Sequence, residues 1–239
     1  MPTRLAGVFQ DQGIVTKEVA LSSPHEPLLP EELPAVRNAV EKRRREFAAG
    51  RSCARRALVE LGFDHFPLLV DKDRAPIWPS SVVGSITHTD GCPHGYCAVA
   101  VADRRIAMGL GIDAEPSQPL PLEIWQMVLD DDERWDATHA AKPGVHARLV
   151  FSAKETTYKA LFPTFGRFLE FSDVHIDLSA QQGVFFAELT EAAKGHGMPE
   201  GRLMGRFVID DDLLVTGMVL PAAGLSLAQE QLSLHYDSC

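Results

Sequence analysis

The chain has 239 residues, 45% of them hydrophobic and 23% charged, the balance of a soluble globular protein long enough for one large domain or two small ones without disulfide or metal staples. A formal net charge of −10 argues against bulk binding to nucleic acid or to an anionic membrane. Cys53, Cys92, Cys97 and Cys239 form no CxxC pair or zinc pattern, and neither a signal-peptide core nor a membrane-length apolar run is present, so a cytoplasmic protein with free thiols is expected.

The first periodic segment is "PEELPAVRNAVEKRRREFAAGRSCARRALVELG", residues 30–62. Val36, Val40, Phe47, Ala54, Leu58 and Leu61 recur at helical spacing, with Gly50 as a candidate break and Gly62 as the stop. "FPLLV" (66–70) is a short strand candidate, and "DKDRAPIWPSS" (71–81) reads as a loop from its charges and prolines. Three strand candidates follow, "VVGSITHT", "GYCAVAVA" and "IAMGLGID", the last ending at Pro116. Helix is expected through "IWQMVLDDDERW" and then over Gly144–Phe162, preceded by Pro143 and stopped before Pro163. "DVHIDLS", "GVFFAELT", "GRLMGRFVID" and "LLVTGMVLP" read as strands, and the closing "LAQEQLSLHYDSC" carries no signal. Helix followed by meandering strands in each half suggests a duplicated α+β unit, divided into residues 1–116 and 117–239, although no exact repeat is present.

Four stretches carry chemistry. In "GIDAEP", Asp113 and Glu115 lie two apart on a strand and share a face. A hard cation would relieve their repulsion; two solvated charges at a strand end are the plainer account. In "FSAKETTYKAL", Glu155 and Lys159 stack one turn apart beside the row of Lys154 and Tyr158, among Phe151, Leu161 and Phe162. They are either a surface salt bridge of about 0.3–0.5 kcal/mol or a pair that binds a metal-phosphate group while exchanging protons. In "GSITHTDG", Ser85 and Thr87 face one side and Ile86 and His88 the other, and Thr87 and His88 are both able to donate to a phosphate. "KRRREFAAGRSCARRAL" concentrates positive charge; on a continuous helix Arg44, Arg51 and Arg55 fall within about 40° of one another. Arginine forks suit phosphate oxygens, and a solvated basic face is the alternative. GxGxxG, Walker A, GxSxG and HExxH motifs are absent.

Together and in this order, "GRSCAR", "WPSSVVGSITHTDG", "GIDAEP" and "FSAKETTYKALFP" resemble the signatures of the Sfp-type 4′-phosphopantetheinyl transferases, and among them the enterobactin-synthetase-component group of bacteria, over about Glu41–Phe171. The resemblance implies an α+β fold of two similar halves with pseudo-twofold symmetry, a monomer with its active site in the cleft between them. It implies transfer of the 4′-phosphopantetheine arm of coenzyme A to a serine of an apo acyl or peptidyl carrier protein, with release of adenosine 3′,5′-bisphosphate. Asp113, Glu115 and Glu155 match the acidic positions for Mg²⁺, with Mn²⁺ as the alternative ion. Thr87 and His88 match a phosphate-binding position, Lys159 the lysine near the pyrophosphate, and Lys154 a coenzyme-contacting position. Arg51 and Arg43 match basic positions for the nucleotide phosphates, whereas helical phase favours Arg44 and Arg55. The loop bearing Lys72, Asp73 and Arg74 lies where relatives contact the nucleotide, and it departs from their glycine-containing turn. Glu155 is expected to act as base, metal ligand or both, Lys159 on the departing phosphate, and His88 in holding the coenzyme. Carriers of secondary metabolism (polyketide, nonribosomal-peptide or siderophore) are expected to dock near the second-half helix and the loop bearing Leu120 and Leu122. Rival readings are a Mg²⁺-dependent nucleotide pyrophosphohydrolase and a non-catalytic coenzyme A-binding module.

Overall fold

In the computed structural model, which describes residues 4–10, 13–179, 181–194 and 197–222, the apolar runs of the first half form a three-stranded antiparallel sheet. Its strands are β1 (Val15–Val19), β2 (Val82–Thr89) and β3 (Tyr96–Asp103), in the order β1-β3-β2. Central β3 is buried along almost its whole length, which accounts for its continuous apolar run. Helix α1 (Arg4–Val8), which the sequence did not announce, buries Leu5 and Val8 between the two sheets. "FPLLV" forms no strand, only a bridge between Val70 and Pro76, with Leu68 buried in the core.

The first long helix, α2, spans Glu41–Glu60, eleven residues later than the periodic segment began. Residues 33–36 form a single 3₁₀ turn, and Val40 is extended and 72% exposed. Arg44 donates to the carbonyls of Arg37 and Ala39 at 2.7 and 2.9 Å, groups that a continuous helix would have bonded internally. Gly50 does not break α2. A Cβ there would lie 3.3 Å from Ile86 of β2, so glycine lets the helix lie close against the sheet.

The second sheet has five antiparallel strands, β4 (Ala107–Pro116), β5 (Val174–Ser179), β6 (Val184–Leu189), β7 (Arg202–Ile209) and β8 (Leu213–Pro221), in the order β4-β8-β7-β6-β5. Strand β4 therefore pairs with the far end of the chain. Its other edge faces β2, where side chains replace a backbone ladder. Ser85 Oγ accepts the Ile112 N–H at 3.1 Å and Thr87 Oγ1 the Ala114 N–H at 3.0 Å, so the buried edge of β4 keeps its donors satisfied.

Between the sheets' ends, α3 (Trp125–Val128) and α4 (Asp131–His139) divide the expected helical region at Leu129. Asp130 caps α4 in a reciprocal capping box with Glu133. The longest helix, α5, runs Pro143–Phe165. It passes through Pro163, two residues from its end, because Thr164 Oγ1 anchors the last turn to the Met108 carbonyl at 2.6 Å and Gly166, at φ 64°, closes it.

Helix α5 lies directly on β4. A Cβ on Gly109 would fall 2.3 Å from the Ala160 carbonyl oxygen, and one on Gly111 2.0 Å from that of Thr156. The strand period of two places residues 109, 111 and 113 on one face, so this close approach brings Asp113 under the same helix. Gly111→Ala must push α5 outward. It is expected to cost about 3 kcal/mol in urea unfolding and to abolish the chemistry that α5 and β4 share. Among the described residues no helix is long and apolar enough to cross a membrane.

Candidate active site

Asp113 is the centre of the arrangement. Lys159 Nζ donates to its Oδ1 at 2.6 Å, Ser152 Oγ to its Oδ2 at 2.8 Å, and Thr87 Oγ1 to Oδ1 at 3.3 Å. Lys159 thus reaches from α5 to β4 and leaves Glu155, one turn away, without a hydrogen-bond or ion-pair partner among the described residues. The surface salt bridge that their spacing permits does not form. Glu115, two residues along β4, is held by Arg148 Nη1 at 2.6 Å, and the same guanidinium donates to the carbonyls of Gln118 and Pro119 at 2.6 and 3.0 Å.

Burial raises the proton affinity of both Glu115 and Glu155. The charge of Asp113 adds to that effect in each, while Lys159 opposes it, joined at Glu115 by Arg148. Two half-buried carboxylates whose charge Asp113 destabilises form with it a hard-oxygen donor set that a small divalent cation fits. Among the described residues, a tighter cluster, with ligand atoms within 4.8 Å, is Asp130, Glu133 and His175. Its oxygens already have donors. Glu133 accepts the N–H groups of Asp130 and Ile176 at 2.8 Å and Lys154 Nζ at 2.7 Å. Asp130 accepts the Glu133 N–H at 2.8 Å and pairs with His175 Nδ1 at 2.6 Å.

A pocket of about 170 Å³ at the α2 end is lined by Arg43, Arg51, Arg74 and His88. Arg43 Nη1 lies 2.9 Å from His88 Nε2, and Glu46 lies 3.8 Å from the same atom. Burial lowers the proton affinity of His88; Arg43 and Lys159 lower it further, and Glu46 opposes them. Arg51 donates Nε–H to the Leu68 carbonyl at 2.7 Å and stacks 4.0 Å over the Phe47 ring. Burial, chiefly, takes its pKa down to about 10. Arg74 adopts φ 67°, a left-handed conformation that glycine takes without strain, in a turn closed by Asp71, whose Oδ1 accepts the N–H groups of Asp73 and Ala75. Arg74 and exposed Lys72 also border a larger cleft of about 890 Å³. Tyr158, Lys159 and Phe162 of α5 form its opposite wall.

Residues 18–102 match the 4′-phosphopantetheinyl transferase N-terminal domain, and residues 109–198 match the 4′-phosphopantetheinyl transferase superfamily. The chain is 40% identical over 218 residues to 4′-phosphopantetheinyl transferase Svp of Streptomyces mobaraensis, covering 87% of this chain and 86% of that one. It is 37% identical over 221 residues to 4′-phosphopantetheinyl transferase PptT of Mycobacterium tuberculosis, covering 90% and 95%. This chain belongs to the 4′-phosphopantetheinyl transferases. A shorter similarity, 38% over 126 residues and about half of each chain, links the transferase to enterobactin synthase component D of Salmonella typhi. The Sfp-type resemblance is thereby borne out. The transferase is an enzyme that takes the phosphopantetheine of coenzyme A to carrier proteins.

In the transferase, Lys159 meets Asp113 at the α5–β4 contact and both act by charge on Glu115 and Glu155, with His88, Arg43, Arg51, Lys72 and Arg74 around the neighbouring pockets. Two of the expected coenzyme contacts lie elsewhere. Arg55 is buried on Glu32 at 2.7 Å and on the Pro27 carbonyl at 2.9 Å. Lys154, 2% exposed, is bonded under α5 to Glu133 and to two carbonyls. The Thr87 proton is directed to Asp113. Ser152 and Arg148 were not singled out in the sequence. Both lie on the Glu155–Lys159 side of α5, at spacings of three, four and seven residues, and that periodicity was the available signal.

Proposed function

We propose that transfer takes place at the α5–β4 contact, with Asp113, Glu115 and Glu155 holding Mg²⁺ and the nucleotide end of coenzyme A seated on Arg43, Arg51 and His88. The observation carrying this reading is the Lys159–Asp113 contact of 2.6 Å, with Glu155 one turn away unpartnered among the described residues, beside a cleft walled by both halves. Glu155, its proton affinity raised by burial, takes the proton of the carrier serine. Lys159 neutralises the departing phosphate, leaving adenosine 3′,5′-bisphosphate. The bound metal would supply charge neutralisation at the pyrophosphate. Intact mass of an apo carrier incubated with the transferase, coenzyme A and Mg²⁺ tests the reading. A gain of one phosphopantetheine, lost with EDTA, is expected; bisphosphate release without a carrier would instead indicate a pyrophosphohydrolase.

The acceptors are apo acyl or peptidyl carriers of secondary metabolism, and the transferase acts as a cytoplasmic monomer. Free Cys53, Cys92 and Cys97 suit a reducing compartment. Leu122 and Met127, 72% and 63% exposed, are the apolar groups offered beside α3, whereas Leu120 is buried beneath Trp125, whose indole donates to its carbonyl at 3.1 Å. Leu122→Asp is therefore expected to raise the carrier KM about tenfold without changing the KM of coenzyme A. Leu120→Asp would report on folding instead.

Coenzyme binding should depend on pH through His88. Its proton affinity lies below that of an ordinary histidine in the free enzyme, and a phosphate dianion beside it favours the imidazolium. Binding is expected to take up protons and to tighten as pH falls, until the lowered value of His88 in the free enzyme is reached. Calorimetry in two buffers of different ionisation enthalpy measures the uptake, and His88→Gln should remove it.

A further inference from the structure

We infer that Lys154 is a positioning residue, which fixes the rotation of α5 through a buried ion pair with Glu133 and so sets Ser152, Glu155 and Lys159 over Asp113. The inference rests on the placement of the transfer step at the α5–β4 contact.

Lys154 immediately precedes Glu155, about 100° around the helix. Its ammonium has three donors and meets three acceptors. These are the Val128 carbonyl at 2.9 Å, the Phe171 carbonyl at 2.9 Å and Glu133 Oε2 at 2.7 Å. Each acceptor belongs to a different element: the end of α3, the short turn at Phe171–Asp173, and α4. Glu133 cannot swing with the lysine, because backbone N–H groups of Asp130 and Ile176 hold its two oxygens. The buried pair thus keys α5 against three neighbours.

A well-packed apolar pair is often as stable as a buried ion pair, and the directional pair adds a defined register. Alanine and leucine contacts between α5 and its neighbours tolerate small rotations. A lysine with three fixed acceptors does not. A side-chain tip roughly 5–6 Å from the helix axis moves about 1 Å when the helix turns by about 10°. A displacement of about 1 Å in a reacting group can cost about 100-fold in rate.

Lys154→Gln, Glu133→Gln and the double variant test the inference. Each single change is expected to lower kcat about 100-fold while coenzyme A binds with unchanged Kd and undiminished stoichiometry in calorimetry. The double variant should lose no more than the worse single one, because both act through one bond. Coenzyme affinity falling in parallel with kcat would make Lys154 a ligand contact and overturn the inference. So would full kcat in a folded variant, losses that multiply, or thermal melts showing that neither single variant folds at the assay temperature. Glu155→Gln run alongside separates the two readings. If it is fully active while Lys154→Gln is not, the base assignment fails and the positioning of α5 stands.

Discussion

Glu155→Gln is expected to lower kcat for carrier modification about 1,000-fold, the range of a lost general base, while coenzyme A binds as in the wild type. The change keeps shape and volume and removes only the charge. No partner is stranded, because Glu155 makes no hydrogen bond or ion pair with the described residues, and the groups proposed for the nucleotide lie on α2, β2 and the 71–74 turn. The variant should also be more stable than the wild type at neutral pH. The folded carboxyl binds its proton more tightly than an ordinary one, so the native state holds more protons than the unfolded chain between the two pKa values. Stability from this group is fully present below the ordinary value of 4.5 and is lost as pH rises through the folded value. Glu155→Gln removes that loss. Single-turnover transfer and urea titrations at pH 5 and pH 7.5 check both parts; near-wild-type turnover would sink the base assignment.

Asp113→Ala is expected to abolish detectable transfer and to cost about 3 kcal/mol of folding stability, as when one partner of a buried pair is removed. Lys159 loses its only counter-charge within 4.0 Å among the described residues, and Ser152 and Thr87 lose an acceptor. Asp113→Asn keeps the shape and an acceptor. It should regain much of the stability and none of the transfer, since neither a cation nor Lys159 finds its charge there. Recovery of transfer in the Asn variant would show that hydrogen bonding, not charge, is what Asp113 contributes.

The elements marked by a period or by an unbroken apolar run were legible in the sequence. β2, β5, β6, β7 and most of α5 fall where alternation or helical spacing puts them, and β3 and β8 where unbroken apolar runs do. The acids and Lys159 were legible because strand and helix periods fix which side chains share a face. What those periods do not carry is the partner on another element. Helical phase favoured Arg44 and Arg55, yet Arg55 is taken by Glu32 from a preceding loop and Arg44 by carbonyls of that loop. Spacing likewise placed Lys154 beside Tyr158 without showing Glu133 beneath it. Short β1 and α1 offer too few residues for any period to emerge.

The pairing of β4 with β8 bears on how such enzymes can be recombined. A chimera joined after Pro116 would have to pair β4 of one parent with β8 of the other. Strand β8 is buried through eight of nine positions, so a mismatched ladder there would open an apolar edge to aggregation. The stretch between residues 102 and 109, where the two family matches part, is the better seam. A crossover there leaves the β4–β8 ladder and the Gly109–Gly111 seat of α5 within one parent. The new junction then has to match the apolar layer that α1 and β3 place against β4 and β8, together with the β2 hydroxyls of Ser85 and Thr87.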